Sequence, residues 1–262
     1  MVTPHWICSH VTTHSKASQQ GGTAPRNRLL AALLPEVLDR LQPHLTRVKL
    51  VSGQVLHERG EVVRDVYFIE QGLASVVTTT EGDNADTGGV EIGLMGADGL
   101  VGWWVLLDPE AIAPQRVLIQ IAGQGWRMPV ADLRAACEGE PTLRDLLFRY
   151  THAITIQVAQ TAACNARHAL PERLARWLLM SSDRVESDEL ALTQEFLGLM
   201  LGVRRSGVAV AAGTLQQAGL IRYSRGRITI LDHAALESSS CECYRLVQEQ
   251  YNRLVGPKRA SS

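Results

Sequence analysis

The sequence holds no apolar stretch long enough to cross a bilayer; its longest, Gly99 to Leu107, falls well short of the roughly 20 residues that a spanning helix needs. The first residues lack the basic segment and apolar core of a secretory signal, so a cytoplasmic protein without a membrane partner is expected. Cysteine is sparse and odd in number, five in 262 residues, which argues for reduced thiols and against a disulfide framework. No nucleophile elbow, Walker loop, paired metal-binding helix or recognisable triad is present, so no enzyme is expected and the scattered His, Ser and Cys have bland explanations. Gly99 and Gly102 are too few for a dinucleotide fingerprint. The loop Glu81 to Gly89 only superficially suggests calcium: Ala85 stands where an oxygen ligand is needed and Leu94 where the bidentate Glu should be, and the loop reads as a hairpin tip. General disorder is excluded too, since 45% of residues are hydrophobic and 20% charged, in a chain long enough for two domains. With a net charge of −1, any affinity for nucleic acid has to come from a local patch.

Such a patch is marked by a local absence. Between Phe196 and Leu231 there is no Asp or Glu, and the only charged residues are Arg204, Arg205, Arg222, Arg225 and Arg227. Phe196, Leu197, Met200 and Leu201 follow a helical period, with Thr193 as N-cap and Glu195 in the positive first turn. Gly202 stops that helix in a conformation open to glycine, and small Gly198 lets a second helix come close. The second helix buries Val208, Ala211, Ala212 and Leu215, leaving Arg205, Ser206, Ala209, Val210 and Gly213 outward. A short-limbed flank with long donors at its N-terminus suits the major groove. Two short strands, Leu220 to Tyr223 and Arg227 to Leu231, joined at Arg225-Gly226, make a wing. An isolated basic run is most often a solvated face. Five arginines on two elements that would straddle a DNA backbone, with no acid to pair them, favour a DNA site instead.

This stretch and what precedes it resemble the Crp/Fnr superfamily of bacterial transcription regulators, over roughly residues 27 to 231. The resemblance implies an α+β chain: an N-terminal β-roll (a cyclic-nucleotide-binding-like jelly roll), a long dimerisation helix and a C-terminal winged helix-turn-helix. The expected divisions are a disordered tail over 1–26, the sensory roll over 27–140, the dimerisation helix and hinge over 141–168, and the winged domain with a C-terminal helix over 169–256. It implies double-stranded DNA, a second copy of the chain and RNA polymerase as partners, with a small-molecule effector. Arg205 matches the position at which the family reads guanine, and a guanidinium fork suits guanine O6 and N7. Ser206 lies beside it, Ala209 and Val210 would touch thymine methyls, and Thr193, Gln194, Arg204, Arg225 and Arg227 would hold phosphates. Gly207 stands where the family usually has Ser or Thr, which removes a possible contact.

The chain departs from the cyclic-nucleotide members at the phosphate cassette, Gly96 to Arg116. Trp103 follows Gly102 where those members keep a Glu for the ribose, and Pro114 falls near the position of the phosphate-binding Arg. An apolar Trp accepts no hydrogen bond, so ordinary cyclic-AMP binding is not expected. Trp103, Trp104 and Arg116 remain a possible effector pocket, with roll core as the competing reading of the tryptophans. No cofactor is expected: the family's iron-sulfur branch uses an N-terminal cysteine cluster, and Cys8 alone does not supply one.

Elsewhere, residues 1 to 25 show no apolar period, and the cluster His5, Cys8, His10 and His14 has no scaffold to hold a metal. Asn27 can cap a helix carrying Leu29, Leu30, Leu33 and Leu34, and Pro35 opens another through Leu41. Short strands are expected at 48–50, 55–57, 66–71, 73–79, 90–94 and 117–122, and a short helix at 131–137. From Pro141 the longest helix repeats Leu143, Leu147, Tyr150, Ile154, Val158, Thr161 and Asn165 at four, three, four, four, three and four, which predicts a dimer seam. Cys164 and His168 stand one turn apart, too few for a closed metal site. Residues 166–170 form a hinge, 171–180 a helix and 183–189 a polar loop. Asp232 caps a final helix, on which Cys241 and Cys243 would point to different sides. A rival to DNA reading is a ligand-sensing roll that acts through protein partners, its winged domain having lost sequence reading.

Overall fold

The computed structural model describes residues 24–79 and 89–256. The cluster His5, Cys8, His10 and His14 and nearly all of the loop Glu81 to Gly89 lie outside the described residues.

The chain enters through Asn27, fully buried. Its Oδ1 accepts from the backbone N–H groups of Leu29 and Leu30, and its Nδ2 donates to the carbonyls of Ile69 and Gly99, both at 2.8 Å. One side chain therefore caps α1 (Arg28–Ala31) and fixes it to the sheet. The helix is shorter than expected: it stops at Ala32, Leu34 is exposed, and Pro35 opens α2 (Pro35–Leu41). Strands β1 (Thr46–Leu50), β2 (Val55–His57), β3 (Asp65–Thr78), β4 (Val90–Met95), β5 (Leu100–Val101) and β6 (Arg116–Pro129) then form one antiparallel sheet. Its order is β1-β6-β3-β4, with β2 on β6 and β5 on β3. The two strands expected on either side of Gly72 are one strand of 14 residues, and so is the extended β6. Gly72, at φ 95°, bends β3 without ending it, and the β3/β6 register slips around it.

Helix α3 (Val130–Gly139) leads to α4 (Pro141–Arg167), 27 residues long. The expected dimer seam is corrected here. Leu143, Leu147, Tyr150, Ile154 and Thr161 are buried within the chain and Val158 is half-buried. The first four belong to the roll's own core, because large apolar residues at helical spacing serve whichever sheet lies nearest. The free face of α4 carries Phe148, His152, Thr155, Ala159, Ala162 and Ala166, again spaced at four and three.

Helix α5 (Leu170–Val185) begins the winged domain and continues through the start of the expected polar loop. It is followed by β7 (Glu189–Ala191), α6 (Gln194–Leu201), α7 (Arg205–Gln217), β8 (Ile221–Ser224), β9 (Arg227–Ile230) and α8 (His233–Ser238). Strand β7 was not expected. It adds a third strand to the wing, in the order β7-β9-β8. The final helix, α9 (Cys243–Val255), lies along α4 and joins both cores: Tyr244 and Val247 belong to the core of the winged domain, Val255 to the roll core, and Tyr251 and Leu254 pack against the latter. Cys241 precedes α9, so the argument that Cys241 and Cys243 diverge on a helix does not hold.

Two buried polar junctions fasten α5 to the roll. Arg184 pairs with Asp98 at 3.1 Å and donates to Gln157 Oε1 at 2.6 Å, joining α5, the turn after β4, and α4. Glu91 of β4 accepts from Trp177 Nε1 at 2.9 Å and from Gln120 Nε2 at 2.8 Å, and from the Ser75 hydroxyl. Burial pushes the Glu91 carboxyl up to about 7, against the opposing pull of these hydrogen bonds. Folding therefore takes up a proton at Glu91. Its contribution is most favourable below the ordinary value of 4.5, declines as the pH rises toward about 7, and is level above that. The swing is roughly 3 kcal/mol at most, from 1.36 kcal/mol per pH unit. Urea denaturation between pH 5 and about 8 is expected to show this decline, and Glu91→Gln, neutral throughout, is expected to flatten it.

Candidate nucleic-acid interface

Helices α6 and α7 meet at 102°, within the range of a helix-turn-helix pair. Thr193 caps α6 by accepting from Phe196 N–H at 3.2 Å, and its hydroxyl keeps a proton to donate. The turn rests on Gly202, left-handed at φ 63°, whose N–H and that of Val203 satisfy the last carbonyls of α6. At Gly198 a Cβ would come within 2.8 Å of the Val203 carbonyl, so the close approach expected there is real. Val208, Ala211, Ala212 and Leu215 are buried, as the period required.

The opposite face is open. Arg204, Arg205, Ser206, Ala209 and Val210 are exposed, Val210 by 72%. Gln194 is half-buried and its Oε1 lies 3.5 Å from Arg205 Nε, which links the first turns of the two helices. The wing turn, Arg225 at φ 49° and Gly226 at φ 76°, comes beside α6: Leu192 N–H donates to the Gly226 carbonyl at 2.8 Å, and the Gly226 Cα side faces Thr193. Thr193, Gln194, Arg204, Arg205, Arg225 and Arg227 are thus brought to one region of the winged domain. None of Arg204, Arg205, Arg222, Arg225 and Arg227 forms a salt bridge among the described residues. All five are exposed. Gly207 does not share this face: a Cβ there would meet Leu170 at 3.3 Å, so the position packs against the start of α5.

The possible effector pocket is filled. Trp103 and Trp104, on a short 3-10 turn, are 9% and 6% exposed, pack edge-on to each other at 4.7 Å, and Trp104 packs edge-on to His57 at 5.4 Å. Arg116 pairs with Glu58 at 3.2 Å. A neighbouring cavity of ≈ 580 Å³ is lined instead by His57, Glu58, Glu61, Arg64, Asp65 and Tyr67, among others. Sequence reasoning missed it because the turn from Glu58 to Arg64 carries no periodic signal.

Comparison with known proteins places these features. Residues 172–239 match the family model of the Crp-like helix-turn-helix domain. No curated protein matches the sequence. Among solved structures, the chain is similar to FixK2 from Bradyrhizobium japonicum (15% identity, 75% of this chain and 98% of that one, TM-score 0.63). It is similar to the c-di-GMP responsive global regulator CLP from Xanthomonas campestris (14%, 75% and 99%, 0.62). It also resembles a CRP-family transcriptional regulator from Thermus thermophilus (21%, 74% and 96%, 0.58). At these identities the likeness is one of fold.

Gly202 makes the turn testable. A Cβ there would need the left-handed conformation and would meet Val90 at 3.1 Å, so Gly202→Ala is expected to lower stability by about 1–2 kcal/mol. Gly213, mid-helix with nothing within 4 Å, is the contrast: Gly213→Ala is expected to raise stability by up to about 1 kcal/mol in the same urea titration.

Proposed function

We propose that this chain, whose residues 172–239 match a Crp-like helix-turn-helix domain and whose fold is similar to that of Crp/Fnr regulators, is a homodimeric regulator of transcription that reads a palindromic DNA operator. The observation that carries this reading is the set of exposed arginines, Arg204, Arg205, Arg225 and Arg227, that surround a short-limbed recognition helix without a salt-bridge partner among the described residues. Arg205 reads guanine through its guanidinium fork, Ala209 and Val210 meet thymine methyls, and Ser206 lies along the same groove wall. Thr193, Gln194, Arg204, Arg225 and Arg227 hold phosphates on either side. RNA polymerase is the further partner of such a regulator.

Dimerisation uses the free face of α4. Phe148, His152, Thr155, Ala159, Ala162 and Ala166 repeat in heptad spacing, and the small residues let two copies of the helix approach closely. Two recognition helices would then address half-sites roughly 34 Å apart. The roll carries the signal, and its effector is not cyclic AMP held in the ordinary way, because the cassette is filled by Trp103 and Trp104.

Selection of bound sequences from a random duplex pool at physiological salt is expected to enrich a palindrome. Salt-sensitive retention without enrichment would favour the rival reading, a roll acting through protein partners. Arg205→Ala is expected to weaken operator binding by about 1–3 kcal/mol while sparing random DNA, measured by fluorescence anisotropy. An equal loss on both would end the base-reading role. Ala159→Glu, which puts a charge on the free face of α4, is expected to give a folded monomer by light scattering, whereas an unchanged mass would place the dimer contact elsewhere.

A further inference from the structure

Four metal-ligating side chains from two distant parts of the sequence meet at the end of α4. Cys164 lies on its last turn and His168 caps it; Cys241 and Cys243 flank the start of α9. One ligand atom from each, the three Sγ atoms and a ring nitrogen of His168, lies within 4.8 Å of all the others. Cys164 Sγ and Cys241 Sγ are 3.5 Å apart, as are Cys243 Sγ and His168 Nδ1. From this geometry we propose that Cys164, His168, Cys241 and Cys243 form a structural zinc site that ties the C-terminal helix to the dimerisation helix.

The separation suits a single ion. Sulfurs at about 2.3 Å from a tetrahedral zinc lie about 3.8 Å from one another, so the Cys164–Cys241 pair at 3.5 Å would open by about 0.3 Å and any pair at the 4.8 Å limit would close by about 1 Å, within reach of side-chain rotation. An iron-sulfur cluster distributes its ligands over two or more irons and needs a wider frame. Three thiolates and an imidazole are soft enough to select zinc over magnesium, calcium or manganese. The three cysteines are buried and His168 is half-buried, which leaves little room for an open coordination position and points to a structural role.

The surroundings are those of a metal ligand set. His168 presents Nδ1 to the sulfurs while its Nε2 lies 3.4 Å from Glu242 Oε1, the carboxylate–histidine arrangement that fixes the tautomer and orientation of a ligating ring. Gln160 Nε2 donates to Cys243 Sγ at 3.0 Å. Zn²⁺ with three thiolates carries a net charge of −1, and two guanidinium groups of α5 reach the same end of α4, Arg173 donating to Asn165 Oδ1 at 3.1 Å and Arg176 to Thr161 Oγ1 at 2.9 Å.

Position gives the site a consequence. His168 ends α4 and α5 starts at Leu170, so the ion would clamp the point from which the winged domain departs.

The full-length protein, purified reduced and without chelator, is expected to contain about one zinc per chain by elemental analysis. Cobalt(II) exchanged for zinc is expected to give the intense bands of a tetrahedral thiolate complex. Cys164→Ser with Cys241→Ser is expected to lose both signals, and Cys137→Ser, which alters the buried cysteine outside the cluster, to keep both. Should the double variant fail to fold, titration of the wild-type cobalt form with zinc decides, since the bands must disappear at about one equivalent. Folded wild-type protein that takes up neither metal would overturn the proposal. So would a cobalt spectrum without thiolate bands, iron with acid-labile sulfide, or zinc retained by the folded double variant.

Discussion

A single helix of 27 residues has to pack on the roll and on α9 at once and still leave one face open, and the rest of the molecule is arranged around that constraint. Leu143, Leu147, Tyr150 and Ile154 of α4 pack into the roll core. Another side takes α9 along its length, down to the contact of Gln160 and Cys164 with the residues around Cys243. The stripe from Phe148 to Ala166 is left exposed. A helix presents about three such stripes, so no further element of the chain can dock on α4 without displacing one of these.

Polar groups fix how the winged domain sits on this frame. Apolar contact supplies area: Leu73, Val77 and Leu94 of the roll share a core with Trp177, Leu178 and Met200 of the winged domain. Such contact is non-directional, and residues of this kind can repack. The Arg184–Asp98 pair with Gln157, and the Glu91 group with Trp177, Gln120 and Ser75, admit one arrangement, because any slip leaves a buried charge or donor unpaired. Both junctions join α5 to β4 or the turn that follows it. Movement of the winged domain relative to the roll would therefore have to break or exchange these partners, which is a stepwise change and not a gradual one.

The arginine-bearing surface of the helix-turn-helix relies on the opposite strategy. Its arginines are left without carboxylate partners while the backbone beneath them is held: Thr193 caps α6, Gly202 sets the angle, Leu192 anchors the wing turn and Arg173 donates to the Leu201 carbonyl. Rigid support below and unneutralised charge above is what phosphate positioning requires.

The helix-turn-helix was legible in the sequence because its determinants are local: a capping Thr193, a left-handed Gly202, a three-and-four period in α7 and an Arg225-Gly226 turn each act within a few residues. The roll was legible as turn-separated strands, though not the continuity of β3 and β6, since a glycine that bends a strand and one that ends it look alike until the partner strand is known. Periodicity gave α4 its apolar stripes and could not say which stripe meets the roll, because spacing records amphipathicity and not the neighbour; burial of Leu143 to Ile154 decided it. The filling of the cassette by Trp103 and Trp104 was likewise a matter of packing. Tertiary structure alone set Cys164 and His168 against Cys241 and Cys243, residues more than seventy positions apart, through the path of α9 back along α4. Local physics is written in the order of the residues, whereas a contact between distant segments depends on how every intervening element packs.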